Sequence, residues 1–352
     1  MVEVSVLIPT YNEERFIKAC LTSIYMQTFS RDKMEILVID GMSNDQTTQI
    51  VKQEIEAGRA NLRLIENPKC IQASALNLGV QASTGKYIVR MDAHSTYGRD
   101  YVQKCVELAK KTGADNVGGI TIAKGKTQIG KAISLALSCP FGVGNSVFRL
   151  GGIDGEVESV PFGTFPRETF KKFGLFNEVL ARCEDKEFNH RIRKGGGRVY
   201  MSKGIQFIYH NRETIRGIAK QSYDNGLWNM FTLVLSPGSV SIRHFVPFAF
   251  VSSLIGLGAA AIAASFTLSG SQFFGGVLAM ELGLYLIFNL IFTIRLAQRS
   301  SYRNLFLLPL IFASMHVSYG MGSLEGIFRT PAFIFKLKEI GLHHSKSVMD
   351  EV

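Results

Sequence analysis

The chain has 352 residues, with 39 Lys and Arg against 29 Asp and Glu, a net charge of +10 and only 19% charged residues. Soluble domains carry roughly 25% charge, and 46% hydrophobic residues with 25 Phe exclude a disordered or collagen-like chain. The basic excess suits nucleic acid or the anionic inner face of a membrane, and the placement of apolar residues favours the membrane. Cys20, Cys70, Cys105, Cys139 and Cys183 form no CxxC pair, so reduced thiols are expected rather than a disulfide framework or zinc ribbon.

The first residues show no basic leader and no cleavage pattern. No signal peptide is predicted, and the N-terminal part is expected to stay in the cytoplasm. Apolar runs at residues 4–8, 36–39, 62–65, 87–91 and 117–122 predict strands, and residues 13–25, 46–56 and 71–82 predict helices between the first four. This alternation implies βαβ units, a Rossmann-like α/β domain and a mostly parallel sheet. In such sheets the ligand binds beyond the carboxyl ends of the strands.

Three polar clusters stand there: Pro9-Thr10-Tyr11-Asn12-Glu13, then Asp40-Gly41-Met42-Ser43-Asn44-Asp45, then Asp92-Ala93-His94. Helix capping accounts for Asn12 and for part of the Asn44-Asp45 turn. It does not account for Asp40 and Asp92, which end apolar strands where a carboxylate needs a partner. No GxGxxG follows a strand, and Gly79 to Gly85-Lys86-Tyr87 has neither P-loop spacing nor its Ser or Thr. A nucleotide diphosphate in this crevice would need other neutralisation. Asp92 and His94 are candidate ligands for a divalent ion, Mg²⁺ preferring oxygen and Mn²⁺ tolerating an imidazole.

Further on, Glu184-Asp185 opens a helical pattern. An acidic first turn complements the helix dipole, and a positioned carboxylate also removes a proton from an attacking hydroxyl. Residues 132–149 are apolar with Pro140 and several Gly, and either dip into a membrane interface or pack into a core. Residues 213–235 suit an amphipathic helix lying on the membrane, with Trp228 at interfacial depth. Arg212, Arg216 and Lys220 suit anionic headgroups as well as an acceptor's diphosphate.

Between residues 245 and 294 the only charge is Glu281, which leaves room for two membrane helices of ~20 residues. They are predicted at about 245–266 and 273–294, divided by a polar break at 267–272. A third segment at 305–324 precedes basic Arg329, Lys336 and Lys338; it either crosses, re-enters or lies flat in the interface. Arg295, Arg299 and Arg303 assign their loop, and with it the N-terminal domain, to the cytoplasmic side.

The stretches VSVLIPTYNEE, VIDGMSNDQT and ALNLGVQASTGKYIVRMDAHS resemble family 2 inverting glycosyltransferases of GT-A fold over roughly residues 2–230. The MDAHS variant with a membrane tail is most similar to the succinoglycan ExoA-type exopolysaccharide enzymes. The resemblance implies a GT-A domain over 1–240 and a membrane domain over 241–352 in a multi-pass plasma-membrane enzyme. It implies that Pro9, Tyr11, Glu13, Asp40, Ser43, Asp45, Lys69, Asn77, Arg90 and Asp92 bind a UDP- or GDP-sugar, with Asp40 near the base. Asp92 and His94 match the family's DxD metal motif for Mn²⁺ or Mg²⁺, His replacing the second Asp. Glu184-Asp185 matches the ED motif, with Asp185 as base. Gln221 to Trp228 is not the QxxRW of processive synthases, so one sugar is expected per polyprenyl-linked acceptor, with no nucleic-acid partner. A polyprenyl-phosphate sugar synthase is the alternative, although its ionised acceptor needs no base. A catalytically inactive membrane scaffold is another, against which the complete motifs argue.

Overall fold

The computed structural model describes residues 1–58, 61–266 and 268–339. The chain forms two compact units, one of Met1–Ala123 and Val147–His210, the other of Lys124–Ser146 and the described chain from Asn211 on.

The first unit opens with β1 (Val4–Thr10), α1 (Ile17–Tyr25), β2 (Met34–Asp40), α2 (Thr47–Glu56), β3 (Leu62–Glu66), α3 (Gln72–Ala82) and β4 (Tyr87–Arg90). Then follow β5 (Ser95–Tyr97), α4 (Tyr101–Thr112) and β6 (Asn116–Lys124), before α5 (Gln128–Ala136) and α6 (Pro140–Val143) of the second unit. The first unit resumes with β7 (Gly155–Glu156), β8 (Thr164–Pro166), α7 (Arg167–Phe173), α8 (Glu184–Lys194) and β9 (Val199–His210). All five strands and all three helices expected in this region are present. The first helix is shorter than expected, because residues 13–16 are spent on a turn.

Among the described residues the sheet runs β3-β2-β1-β4-β8-β6-β9-β5, with β7 on β9. The expectation of a mostly parallel sheet is corrected to a mixed one. β1 to β4 pair in parallel, whereas β8 lies antiparallel to β4 and β6, and β5 and β7 lie antiparallel to β9. Parallel neighbours need a long crossover, and α1, α2 and α3 supply one between each pair of successive strands from β1 to β4.

Every residue of β1 and β2 is buried, as strands covered on both faces require. Alternation divides their side chains between two cores. Val4, Val6 and Ile8 join Ile17, Leu21 and Ile24 of α1 on one face, while Leu7, Leu37 and Ile39 join Leu76, Phe165, Phe170, Phe176 and Phe188 on the other. Pro9 is tolerated in β1 because the β4 ladder has already ended at Leu7–Arg90. The carboxyl ends of β1, β2 and β4 are thereby held side by side.

The second unit adds α9 (Ile215–Leu235), α10 (Val246–Ala263), α11 (Leu268–Gln298) and α12 (Asn304–Glu339). Three of its helices are long and apolar enough to cross a membrane, and in the first two only 6% and 11% of the most apolar window is buried. Apolar helices so little covered by protein suit lipid, not a soluble core. Their boundaries correct the sequence reading in two places. Residues 268–272 open α11 instead of forming a loop, and Thr267 lies outside the described residues. The third segment is one 36-residue helix that includes Arg329, Lys336 and Lys338 and runs through Pro309 and Pro331. Asn289 of α11 donates to the Pro309 carbonyl at 3.1 Å, the kind of support that lets a membrane helix keep a proline.

Residues 132–143 belong to a core. Ala132, Ile133 and Ala136 are buried, and the Phe141 ring packs among Tyr285, Phe292, Phe312 and His316. α9 lies backbone-close to α12. A Cβ on Gly226 would stand 2.1 Å from the Tyr319 carbonyl, and one on Gly322 would stand 2.1 Å from that of Tyr223. Ile218, Met230 and Phe231 are buried on α9 as an apolar face requires, but Ser222, Asn229 and Thr232 are buried with them, Asn229 donating to the Tyr319 hydroxyl.

Candidate active site

Arg90 ends β4, and Asp92, two residues on, lies on the same side of the chain. The Arg90 guanidinium binds both neighbouring acids, Nε at 2.9 Å from Asp92 Oδ1 and Nη1 at 2.9 Å from Glu184 Oε1 at the start of α8. All three side chains are buried. Gln72 donates to Asp92 Oδ2 at 3.3 Å, and the Phe162 ring lies 5.4 Å from the guanidinium. Asp92 thus has the partner that its position demands. Burial disfavours the charge on Arg90, but Asp92 and Glu184 outweigh it and hold the group protonated. Glu184 is pushed up to about 7, chiefly by burial and further by Asp185, with Arg90 opposing.

Asp185 sits differently. It is half-buried, forms no ion pair among the described residues, and accepts only the Lys186 N–H, at 2.8 Å. Cys183, in the left-handed conformation at φ 66°, precedes α8, and successive helical residues point about 100° apart, so the two acids diverge. Because the folded Glu184 titrates above its unfolded value of 4.5, its contribution to stability is complete below that pH and is lost as pH rises through about 7. Glu184→Gln should therefore flatten the decline in melting temperature between about pH 5 and pH 8. An unchanged slope in thermal unfolding would show that Glu184 stays ionised throughout.

The β1 and β2 loops are latched to one another. Asn12 N–H donates to Ser43 Oγ at 2.8 Å, Asn44 N–H to Asn12 Oδ1 at 3.0 Å and Glu14 N–H to Asp45 at 3.1 Å. Asp40 accepts the Ser43 N–H at 2.8 Å and its hydroxyl at 2.6 Å, which supplies its partner. Tyr11 stands 56% exposed above this rim, while Pro9 is buried. Asn77 is buried and braces the chain at Phe176 and Glu178, and Lys69 pairs with Glu178 at 2.6 Å. Both are engaged with that segment.

His94 Nδ1 lies 3.0 Å from Glu13 Oε1. Burial alone would lower its pKa, but the Glu13 hydrogen bond, with Tyr209 and Asp92 nearby, pushes it up to about 9. A carboxylate on Nδ1 is also the contact that orients a metal-ligating imidazole through Nε2. Among the described residues there is no group of three His, Cys, Asp or Glu able to hold a metal. Asp92 carries oxygen and His94 nitrogen atoms of the types that Mn²⁺ accepts, and both Asp92 oxygens are bonded to Arg90. The Glu13–His94 pairing and the Gln72 contact to Asp92 join residues far apart in the chain, so no local sequence signal marks them.

Arg212, Arg216, Gln221 and Trp228 belong to the second unit. Both arginines are exposed, Gln221 is half-buried, and Trp228 packs edge-on to Phe231 at 5.4 Å.

Residues 5–140, which include the latched loops and the Arg90–Asp92 strand end, match the family-wide sequence model of glycosyl transferase family 2. The chain carries a family 2 glycosyltransferase domain. It is 24% identical, over 93% of its length and 97% of the relative's, to the dolichyl N-acetyl-alpha-D-glucosaminyl phosphate 3-beta-D-2,3-diacetamido-2,3-dideoxy-beta-D-glucuronosyltransferase of Methanococcus voltae. It is 27% identical, over 69% of the chain and 74% of the relative, to the succinoglycan biosynthesis protein ExoA of Rhizobium meliloti. Among solved structures it resembles the Pyrobaculum calidifontis mannosyltransferase PcManGT, obtained with GDP-Man and Mn²⁺. The TM-score is 0.61 at 21% identity, covering 93% of this chain and 87% of that one. This glycosyltransferase has the GT-A fold, followed by helices apolar enough to span a membrane.

Proposed function

We propose that this glycosyltransferase moves one sugar, with inversion, from a nucleotide-diphosphate sugar to a polyprenyl-(di)phosphate-linked acceptor. The observation that carries this reading is the division of labour at the start of α8. Glu184 is locked to Arg90, while the adjacent Asp185 has no ion pair among the described residues. An unlocked carboxylate there suits a general base for a neutral hydroxyl, which a sugar acceptor presents and a lipid phosphate does not. The Methanococcus voltae relative, by its name, acts on a dolichyl-linked sugar, which supports the lipid-linked acceptor, and the Rhizobium meliloti relative is named for succinoglycan biosynthesis.

In the proposed reaction the acceptor oxygen attacks the anomeric carbon as Asp185 takes its proton. The bond from that carbon to the β-phosphate oxygen breaks, and the nucleoside diphosphate leaves with the electron pair. The latched β1 and β2 loops position the nucleoside, and the Arg90 bridge keeps Asp92 and the start of α8 in register. Asp92 and His94 would hold the divalent ion, which when bound offsets charge on the diphosphate. On this reading EDTA abolishes turnover and Mn²⁺ restores it, and His94→Ala raises the Mn²⁺ concentration needed for half-maximal rate. Undiminished transfer in excess EDTA would remove the metal from the scheme.

The direct test supplies membranes bearing the enzyme with UDP- and GDP-sugars and a lipid-linked acceptor. A product one sugar heavier by mass spectrometry supports the reading. Repeated additions, or a sugar on the bare lipid phosphate, overturn it. The enzyme is proposed to be multi-pass in the plasma membrane, with Arg295, Arg299 and Arg303 and the catalytic domain on the cytoplasmic side. Cysteines placed at Ser271 and Ser300 should be labelled from outside and protected, respectively.

A further inference from the structure

Arg149 closes a short helical turn, Val147–Arg149, in the first unit. Its guanidinium lies 5.5 Å from the Tyr209 ring and 5.6 Å from that of Phe148. Among the described residues it has no carboxylate partner, and its Nη1 is fully buried without a hydrogen bond. Arg149 is half-buried, and a guanidinium nitrogen shut away from water without a partner is costly; burial opposes its charge, and among the described residues no acid offsets it.

Its position gives that cost a use. The Tyr209 ring that carries Arg149 also meets His94, edge-on at 5.2 Å. Tyr209 pairs across the sheet with Ser95, and the His94 carbonyl accepts the His210 N–H at 3.0 Å. Arg149 is therefore fixed beside the β4 strand end, where the chain has neither a P-loop nor a GxGxxG turn. Arg90, at the same strand end, is taken by Asp92 and Glu184. The guanidinium fork matches two phosphate oxygens, which a lysine does not.

We propose that Arg149, seated on Tyr209, is a phosphate-binding residue of this site and takes a phosphate group of one of the two reactants. The group is either the donor's diphosphate or the acceptor's lipid phosphate. The inference rests on the transferase reading above and extends it to a residue outside its motifs.

The test uses the full chain in lipid nanodiscs, as wild type, Arg149→Ala and Arg149→Lys. UDP, GDP, uridine, guanosine and farnesyl phosphate are titrated by calorimetry, and melting temperatures are recorded. Arg149→Ala should weaken one phosphate ligand class about 10–100-fold, as expected for charge-assisted hydrogen bonds. It should leave nucleoside affinity unchanged and should not lower the melting temperature, because it removes an unpaired charge. Arg149→Lys should recover part of the loss. Weakened UDP or GDP assigns the residue to the donor, and weakened farnesyl phosphate assigns it to the acceptor. Unchanged affinities, an equal loss for nucleosides, or a lower melting temperature with general loss overturns the proposal. Wild-type protein that binds no nucleoside diphosphate overturns the transferase reading as well, whereas wild type and Arg149→Ala binding alike overturns this inference alone.

Discussion

Asp185→Asn should lower sugar transfer by about 10²–10⁴-fold, the usual worth of general base catalysis, while donor affinity changes little. Asn keeps the shape and one acceptor oxygen, so the Lys186 N–H retains its partner. The Arg90–Glu184 ion pair is untouched, because it involves the neighbouring side chain. Transfer rate and donor affinity, measured in the same preparations, separate a lost base from a damaged fold. Near wild-type transfer would move the role elsewhere and would favour the lipid-phosphate synthase.

Arg90→Met should have the largest effect on stability. It leaves Asp92 and Glu184 buried without their shared cation. Removing one side of a buried pair costs about 3–5 kcal/mol, against a total stability of about 5–15 kcal/mol. In the variant Glu184 keeps a folded pKa raised above its unfolded one, now without Arg90 to oppose the rise. The loss should therefore be small at about pH 4 and grow as pH rises towards neutrality. The triple variant Arg90→Met, Asp92→Asn, Glu184→Gln leaves no buried charge and should recover most of the lost melting temperature. A triple variant as unstable as the single one would trace the damage to packing instead.

The strand ends were legible because their signals are local. Seven buried residues each in β1 and β2, followed by Asp, Asn and Ser, mark both the sheet and its rim. The bridge from Arg90 to Glu184 was not legible, because it spans 94 positions and depends on which helix the sheet receives. The Glu13–His94 contact, 81 positions apart, was hidden for the same reason. β5 and β8 have three residues each, too few to show a period, so the antiparallel half of the sheet escaped notice. The length of α12 was hidden by Gly320, Gly322 and two prolines, which argue for a break in water but are tolerated where neighbouring helices support the backbone.

The glycines between α9 and α12 limit how freely α12 can be exchanged. Phe306 and Phe328, 84% and 79% exposed, are held to little more than being apolar. Gly226, Gly322 and Gly326 are held to having no side chain at all, since a Cβ on any of them meets the opposite helix at under 3 Å. A replacement of equal hydropathy, rich in Leu and lacking those glycines, would keep the apolar character and still shed α9. α12 is thus a fitted counterpart of α9, and a chimera that respects only its hydropathy should lose the packing between the two helices.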